Sequence, residues 1–137
     1  MRNLGLLLLI TLTLAGAPGF AQSIEGVWEG EPWFMSRLEK ATFTFKVDGD
    51  KLTGQVTRYL DDKKIGDFEI VDGKIEGDKI SFKTPVDYGP TVKGIEYTGT
   101  VSGNEISFKY WMQGWKHQAD ALFPLSSLFT AKRASTP

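Results

Sequence analysis

The chain has 137 residues with 16 basic and 17 acidic side chains, one histidine and no cysteine. A chain of this length holds one ordinary domain, and its nearly balanced charge argues against a nucleic-acid partner, which requires a basic face. The lack of cysteine excludes disulfides, thiol catalysis and thiolate metal sites, and a single histidine excludes any site that needs two. We therefore expect neither a metal nor a cofactor.

Residues 1–21 predict a cleavable signal peptide. A basic start at Arg2 precedes the apolar segment 4–14, and Ala21 stands at a small-residue position of the kind that signal peptidases recognise. The apolar segment is too short to cross a bilayer, which takes about 20 residues. We expect cleavage after Ala21, export to the periplasm or the medium without a stable membrane anchor, and a single domain over residues 22–137.

The remaining sequence alternates apolar and polar residues between turn clusters, which is typical of antiparallel β-strands. A repeated phrase sets the spacing: Gly49-Asp50-Lys51-Leu52-Thr53 recurs in similar form at Gly77 and again at Gly103. Gly-Asp and Gly-Asn favour the positive φ of tight hairpins, so we expect these three turns at one end of a meander. Strands are predicted near residues 24–30, 39–48, 51–60, 65–72, 74–77, 79–84, 92–102, 105–112, 116–123 and 127–133, and loops at 31–35, 84–90 and 112–115.

An open meander of this kind would expose two strand edges, and closure into a barrel removes them. We therefore predict an all-β fold, an antiparallel up-and-down barrel of eight to ten strands. The apolar cluster Trp33-Phe34-Met35 in the first long loop is expected to form either a lid or a plug at one barrel end.

Alternation also predicts which polar side chains face the interior. Arg58 is in phase with the apolar residues of its strand, and so are Tyr97 and Tyr110. An interior arginine needs an internal carboxylate, water at the barrel mouth or an anionic ligand; the alternative is that Arg58 extends to solvent from a strand end. The tyrosines are either core residues or ligand contacts, and His117 is either structural or part of the same site.

The sequence holds no phosphate-binding glycine loop, nucleophile elbow or EF-hand loop. Asp67 and Glu69 share one strand face, where paired carboxylates could do acid–base chemistry. Because Phe68 and Ile70 are in phase with the core, we expect both carboxylates to face water.

Gly26-Val27-Trp28 opens the first strand, and Arg133 lies in the last. This arrangement resembles the lipocalins and the wider calycin group, in which a G-x-W motif begins the barrel and a basic residue packs over the tryptophan. The resemblance implies a lipocalin-like barrel closed at one end by Trp28 and Arg133, which would form a favourable stacked pair. The domain is shorter than a typical lipocalin and lacks that family's second motif and its disulfide.

We expect the barrel to bind a small apolar ligand, with an acidic head if Arg58 orients it. The predicted ligand-binding residues are Arg58, Tyr97, Tyr110, His117, Phe45 and Trp111. Two alternatives stay open. The barrel is either fully packed and serves as an interaction or structural domain, or it is an enzyme such as an isomerase, cyclase or hydrolase that uses His117 and Asp120 with the two tyrosines. The sequence leaves the oligomeric state open.

Overall fold

The computed structural model describes residues 24–34, 37–88, 92–113 and 128–134, which form antiparallel strands joined by short turns. The strands are β1 (Gly26–Gly30), β2 (Trp33–Phe34), β3 (Arg37–Leu38), β4 (Lys40–Asp48), β5 (Lys51–Leu60), β6 (Lys63–Glu69), β7 (Val71–Glu76), β8 (Lys79–Tyr88), β9 (Val92–Ser102), β10 (Glu105–Gln113) and β11 (Leu128–Arg133). In the described part of the chain, none of the elements is an apolar helix of membrane-spanning length. The predicted signal peptide 1–21 and the predicted strand 116–123 lie outside the described residues.

Eight of these strands close into a barrel in the order β4-β1-β11-β10-β9-β8-β7-β5, and β5 pairs back onto β4. Strand β6 is the ninth strand of this sheet. It pairs with β5 over Gln55–Leu60, whereas β7 pairs with Lys51 and Leu52 at the other end of β5. The predicted all-β antiparallel meander, closed into a barrel of eight to ten strands, is confirmed.

The three repeated turns lie at one end of this barrel, as predicted. Gly49, Gly77 and Gly103 have φ values of +67°, +61° and +62°. The second residue of each turn is hydrogen-bonded to another strand: the carbonyl oxygens of Asp50, Asp78 and Asn104 accept from the backbone amides of Ile75 in β7, Val101 in β9 and Arg133 in β11 at 2.8 to 3.0 Å. We call this end the hairpin end and the opposite end the mouth.

Each of the three predicted loops contains strand residues. Residues 84–88 continue β8, with Pro85 opposite Gly94 and an irregular register between Pro85 and Tyr88. Proline is tolerated where pairing is irregular because no ladder hydrogen bond has to come from it. In the predicted loop 31–35, Trp33 and Phe34 form β2, which pairs with Leu38 and Arg37 of β3 in a short hairpin. Within the third predicted loop, Met112 and Gln113 belong to β10.

Aromatic rings fill the centre of the barrel. The Phe43 ring on β4 contacts the rings of Phe82, Tyr97 and Phe108, with centroids 6.3, 5.8 and 5.0 Å away. Strand β4 lies across the barrel from the strands that carry these rings, so side chains from opposite walls meet. Burying each such ring contributes about 1.5–3 kcal/mol.

Candidate functional site

A buried ion pair lies in the mouth half of the barrel. Arg58 and Glu39 are only 3% and 5% exposed. The Arg58 Nε and Nη2 atoms donate to Glu39 Oε1 and Oε2 at 2.8 and 2.9 Å, which is the bidentate geometry that strengthens such pairs. The interpretation that Arg58 extends to solvent is therefore wrong, and the internal carboxylate that the alternative requires is Glu39.

Two aromatic rings enclose the Arg58 guanidinium. Its central carbon lies 4.3 Å from the centroid of the Phe34 ring and 5.3 Å from that of Phe68. Phe34 comes from the β2–β3 hairpin and also contacts the Tyr110 ring at 5.9 Å. One residue of the predicted apolar cluster thus packs into the barrel, whereas its neighbour Trp33 stays 49% exposed.

Sequence reasoning missed Glu39, and it named Phe34 only as part of a lid or plug at a barrel end, not as a contact of Arg58. Glu39 was detectable, because the inward alternation of Phe45, Phe43 and Ala41 extends back to it in steps of two. Phe34 carried no comparable signal, since its segment shows no alternation long enough to define a face.

The two tyrosines lie next to this pair in the core. Tyr97 and Tyr110 face each other across β9 and β10 with centroids 6.1 Å apart, and both are at most 5% exposed. Burial raises the pKa of the Tyr110 phenol well above its ordinary value, and the neighbouring Tyr97 and Glu39 add to the shift. The Tyr110 phenol is therefore protonated and uncharged at neutral pH.

The other predicted ligand-binding residues are not part of this cluster. Phe45 is buried deeper in the core, opposite Gly54 and against Phe82. Trp111 alternates with the buried Tyr110 and Met112 and lies opposite Glu96, so it is on the outer face of β10. The Trp111 side chain therefore does not face the barrel interior, because the period of two places neighbouring side chains on opposite faces. His117 and Asp120 lie outside the described residues.

Asp67 and Glu69 are exposed, as predicted, and do not form a buried carboxylate pair. Asp67 accepts a hydrogen bond from Thr57 Oγ1 at 2.6 Å and forms an ion pair with Lys64 at 2.7 Å. These contacts, chiefly that with Lys64, lower the pKa of Asp67 below its ordinary value. The carboxylate is thus held ionised at the surface.

Thr84 is a second buried polar group on the mouth side of the core. It is 1% exposed, and its Oγ1 has no hydrogen-bond partner within the part of the chain that the structure describes. It lies opposite Ile95, whose other neighbour across the sheet is Met112. A buried hydroxyl without a hydrogen-bond partner lowers the stability of the folded protein.

Trp28 and Arg133 lie together at the junction of the first and last strands. The Arg133 guanidinium carbon is 4.3 Å from the centroid of the Trp28 ring. Trp28 Nε1 donates to the carbonyl oxygen of Ile24 at 2.9 Å, and Arg133 Nη1 donates to that of Glu25 at 3.1 Å. The pair fastens the end of β11 to the start of the described chain.

A groove of about 1000 Å³ runs along the barrel wall beside β1. It exists because β1 ends at Gly30, while β11 continues to Leu128 and β4 begins at Lys40 beyond that point. This wall groove reaches residues on the inner side of the wall, since Ala41 is opposite Arg58 and the half-buried Phe129 stacks on Phe108. Its lining combines Ala41, Leu128, Phe129 and Thr130 with charged side chains, among them Lys40 and Lys132.

These features define a small closed antiparallel β-barrel with a buried ion pair next to a groove in its wall. Within the described ranges, no cluster of three or more histidine, aspartate or glutamate side chains is arranged to hold a metal ion. No protein-family model, curated protein or solved structure matches the chain.

Proposed function

We propose that this domain is an exported, non-enzymatic binding protein for a small, mainly apolar molecule. The observation that carries the proposal is the wall groove, whose lining includes the exposed Leu128 and the half-buried Phe129, a ring that stacks on Phe108 in the core. Its volume of about 1000 Å³ is at the upper end of the roughly 300–1,000 Å³ common for ligand pockets.

The same geometry argues against a ligand in the centre of the barrel. Phe43 contacts rings from the opposite wall, so the space that a central ligand needs is occupied by side chains. The proposal keeps the ligand-binding role that the lipocalin-like resemblance implies, but moves the site from the centre to the wall between β4 and β11.

A neutral apolar dye tests the binding site. Nile red should bind the wild-type protein saturably and fluoresce more strongly. Thr130→Trp, which fills the wall groove with an indole, should weaken binding by at least about tenfold. The matched control is Thr53→Trp, an exposed threonine on the outer face of β5 that does not line the groove, and it should bind the dye like the wild type. No saturable binding, or equal binding by Thr130→Trp, would contradict the proposal.

Export is tested separately. Expression of the full chain in a bacterial host should yield a processed protein that begins at Gln22 outside the cytoplasm, because residues 1–21 have the pattern of a signal peptide. The mass of the purified protein measures this directly. An uncleaved chain that stays in the cytoplasm would contradict this part of the proposal and leave the binding result untouched.

A second candidate is an interaction domain that uses its outer surface. The observation in its favour is the cross-strand pair Trp33 and Leu38, which remain 49% and 47% exposed on the short hairpin. Exposed tryptophans are common at protein interfaces. This candidate predicts no dye uptake by the wild type, and self-association that Trp33→Ser abolishes, as measured by sedimentation.

A further inference from the structure

A second concave surface lies on the outside of the barrel, over the strands β7 to β10. This outer cleft has a volume of about 430 Å³, and its lining includes three lysines, one glutamate and four residues with hydroxyl groups. None of its lining residues lines the wall groove. The outer cleft is therefore a separate surface that the proposed function does not use.

Strand pairing arranges the outer cleft as rows of side chains across the sheet. In one row, Lys74 on β7 lies opposite Ser81 on β8. Ser81 in turn lies opposite Thr98 on β9, and Thr98 lies opposite Lys109 on β10. Two short hydroxyl side chains thus lie between two long lysines, which makes the surface concave.

The lysines of this surface keep their charge largely uncompensated. Among the described residues, Lys74 and Lys109 form no ion pair, and the ion pair of Lys79 with Asp78 is exposed and long, at 3.9 Å. Lys51 lies directly opposite Lys74 in the pairing of β5 with β7. Like charges directly opposite each other on a sheet are destabilising. A bound anion would offset this repulsion.

Two carboxylates near these lysines do not neutralise them. Glu76 lies opposite Lys79 in the pairing of β7 with β8, and Asp48 lies opposite Lys51 in that of β4 with β5. Neither carboxylate forms an ion pair with its cross-strand neighbour in the part of the chain that the structure describes. With three lysines and one glutamate, the lining is positive, although the whole chain has a formal net charge of −1.

The spacing of the charges indicates an extended anionic ligand. Lys74 and Lys109 are three strand spacings apart, or about 14 Å at about 4.8 Å per spacing. Charges so far apart suit a chain with repeated anionic groups better than a single small anion. The hydroxyls of Ser81 and Thr98 both donate and accept hydrogen bonds, so they match the hydroxyls of sugar rings that lie between the charges.

The lining also distinguishes between classes of polyanion. Its described residues include no aromatic ring, on which the bases of single-stranded nucleic acid stack. They include no exposed apolar side chain that could enter a bilayer, since Ile80 is 2% exposed. The cleft is polar and positive, and it is rich in hydroxyls.

We propose that the outer cleft binds an acidic polysaccharide, whose carboxylates or sulfates pair with Lys74 and Lys109 while its hydroxyls hydrogen-bond to Ser81 and Thr98. This site is distinct from the wall groove and does not depend on an apolar ligand binding there.

Titration calorimetry of the purified protein with oligogalacturonate and with dextran sulfate tests the proposal. At least one of them should bind at least about tenfold more tightly than its uncharged counterpart, which is methyl-esterified oligogalacturonate or dextran. It should also bind at least about tenfold more tightly than its charged monomer, galacturonic acid or glucose sulfate, and added salt should weaken the binding because the lysines are exposed.

Three results of this titration would overturn the proposal. The first is no binding of either polyanion. The second is equal binding of the uncharged chain or of the monomer. The third is tighter binding of oligothymidylate or of phosphatidylglycerol vesicles, which would identify a nucleic acid or a membrane as the partner.

A pair of double variants tests the location of the site. Lys74→Gln combined with Lys109→Gln should weaken binding of the polyanion by about fivefold or more. The matched control, Lys46→Gln combined with Lys63→Gln, removes the same charge from exposed lysines of β4 and β6 that do not line the outer cleft. It should bind like the wild type. An equal loss in both double variants would show that only the net charge matters, and would overturn the site.

The stability of the unliganded protein separates a binding role of Lys74 from a structural one. Lys74→Gln removes the repulsion from Lys51, so it should raise the midpoint of thermal unfolding although it weakens binding. A lower midpoint would show that Lys74 stabilises the fold, and would overturn the argument from repulsion.

Discussion

At the residue scale, Thr84 and Thr57 form a contrast that a pair of substitutions can measure. Thr84 Oγ1 is buried without a partner in the described chain, whereas Thr57 Oγ1 donates to Asp67 at 2.6 Å. Thr84→Val should therefore raise the free energy of unfolding by about 1 kcal/mol, and Thr57→Val should lower it by about 1–2 kcal/mol. Urea unfolding of both variants measures the difference. A loss of stability in Thr84→Val would mean that its hydroxyl is already satisfied in the folded protein.

Because of Tyr110, the stability of the folded protein should decrease at alkaline pH. Burial raises the pKa of its phenol above the ordinary value of 10.0, so the unfolded chain loses this proton at a pH where the folded protein keeps it. The protonated phenol therefore contributes fully to the free energy of unfolding below about pH 10. This contribution is lost as the pH rises above that value, by at most about 1.4 kcal/mol per pH unit for one proton. Tyr110→Phe should show a shallower decline in urea unfolding measured at several alkaline pH values. An equally steep decline would show that Tyr110 ionises as readily in the folded state.

At the scale of the strand, Gly54 allows β5 to bend between its two partners. Its φ is +131°, and a Cβ there would lie 1.8 Å from the carbonyl oxygen of Thr44 on the paired strand. Gly54→Ala should lower the free energy of unfolding by about 4 kcal/mol or more, because the rigid backbone at Thr44 has to move. Gly49→Ala is the control: its φ of +67° is strained for alanine but no atom lies within 4 Å, so about 1–2 kcal/mol is expected. Similar losses in the two variants, measured by urea unfolding, would argue against the backbone contact.

The elements that the sequence predicted well are those with a local cause. Strands such as β4 and β10 have uninterrupted alternation, and the turns at Gly49, Gly77 and Gly103 contain residues that favour positive φ. Alternation could not show which side chains on different strands contact each other. It placed Arg58 in phase with the core but did not identify Glu39, 19 positions away, as the residue that pairs with it. The sequence could not predict the wall groove either, because the groove depends on where β1 ends relative to its neighbouring strands β4 and β11.

At the scale of the whole molecule, the barrel closes only when its first and last strands meet. Trp28 lies opposite Arg133 in the pairing of β1 with β11, and the hydrogen bond from Arg133 to Glu25 spans 108 positions. A contact of such sequence separation carries a large loop-closure cost, so it is expected to form late in folding, after the consecutive hairpins. The stability that this junction provides should therefore act mainly on the rate of unfolding.

Arg133→Ala tests this order of events. The variant loses the stacking on Trp28 and the hydrogen bond to Glu25, which together contribute about 1–2 kcal/mol. If closure is late, unfolding should accelerate by about five- to thirtyfold while the folding rate stays nearly unchanged. Lys132→Ala is the control, since its exposed ion pair with Glu105 at 3.9 Å contributes less than about 1 kcal/mol. Stopped-flow chevron plots of the two variants separate the alternatives: slower folding of Arg133→Ala with unchanged unfolding would place the β1–β11 junction in the folding nucleus, and the hairpins would then assemble on a barrel whose ends have already met.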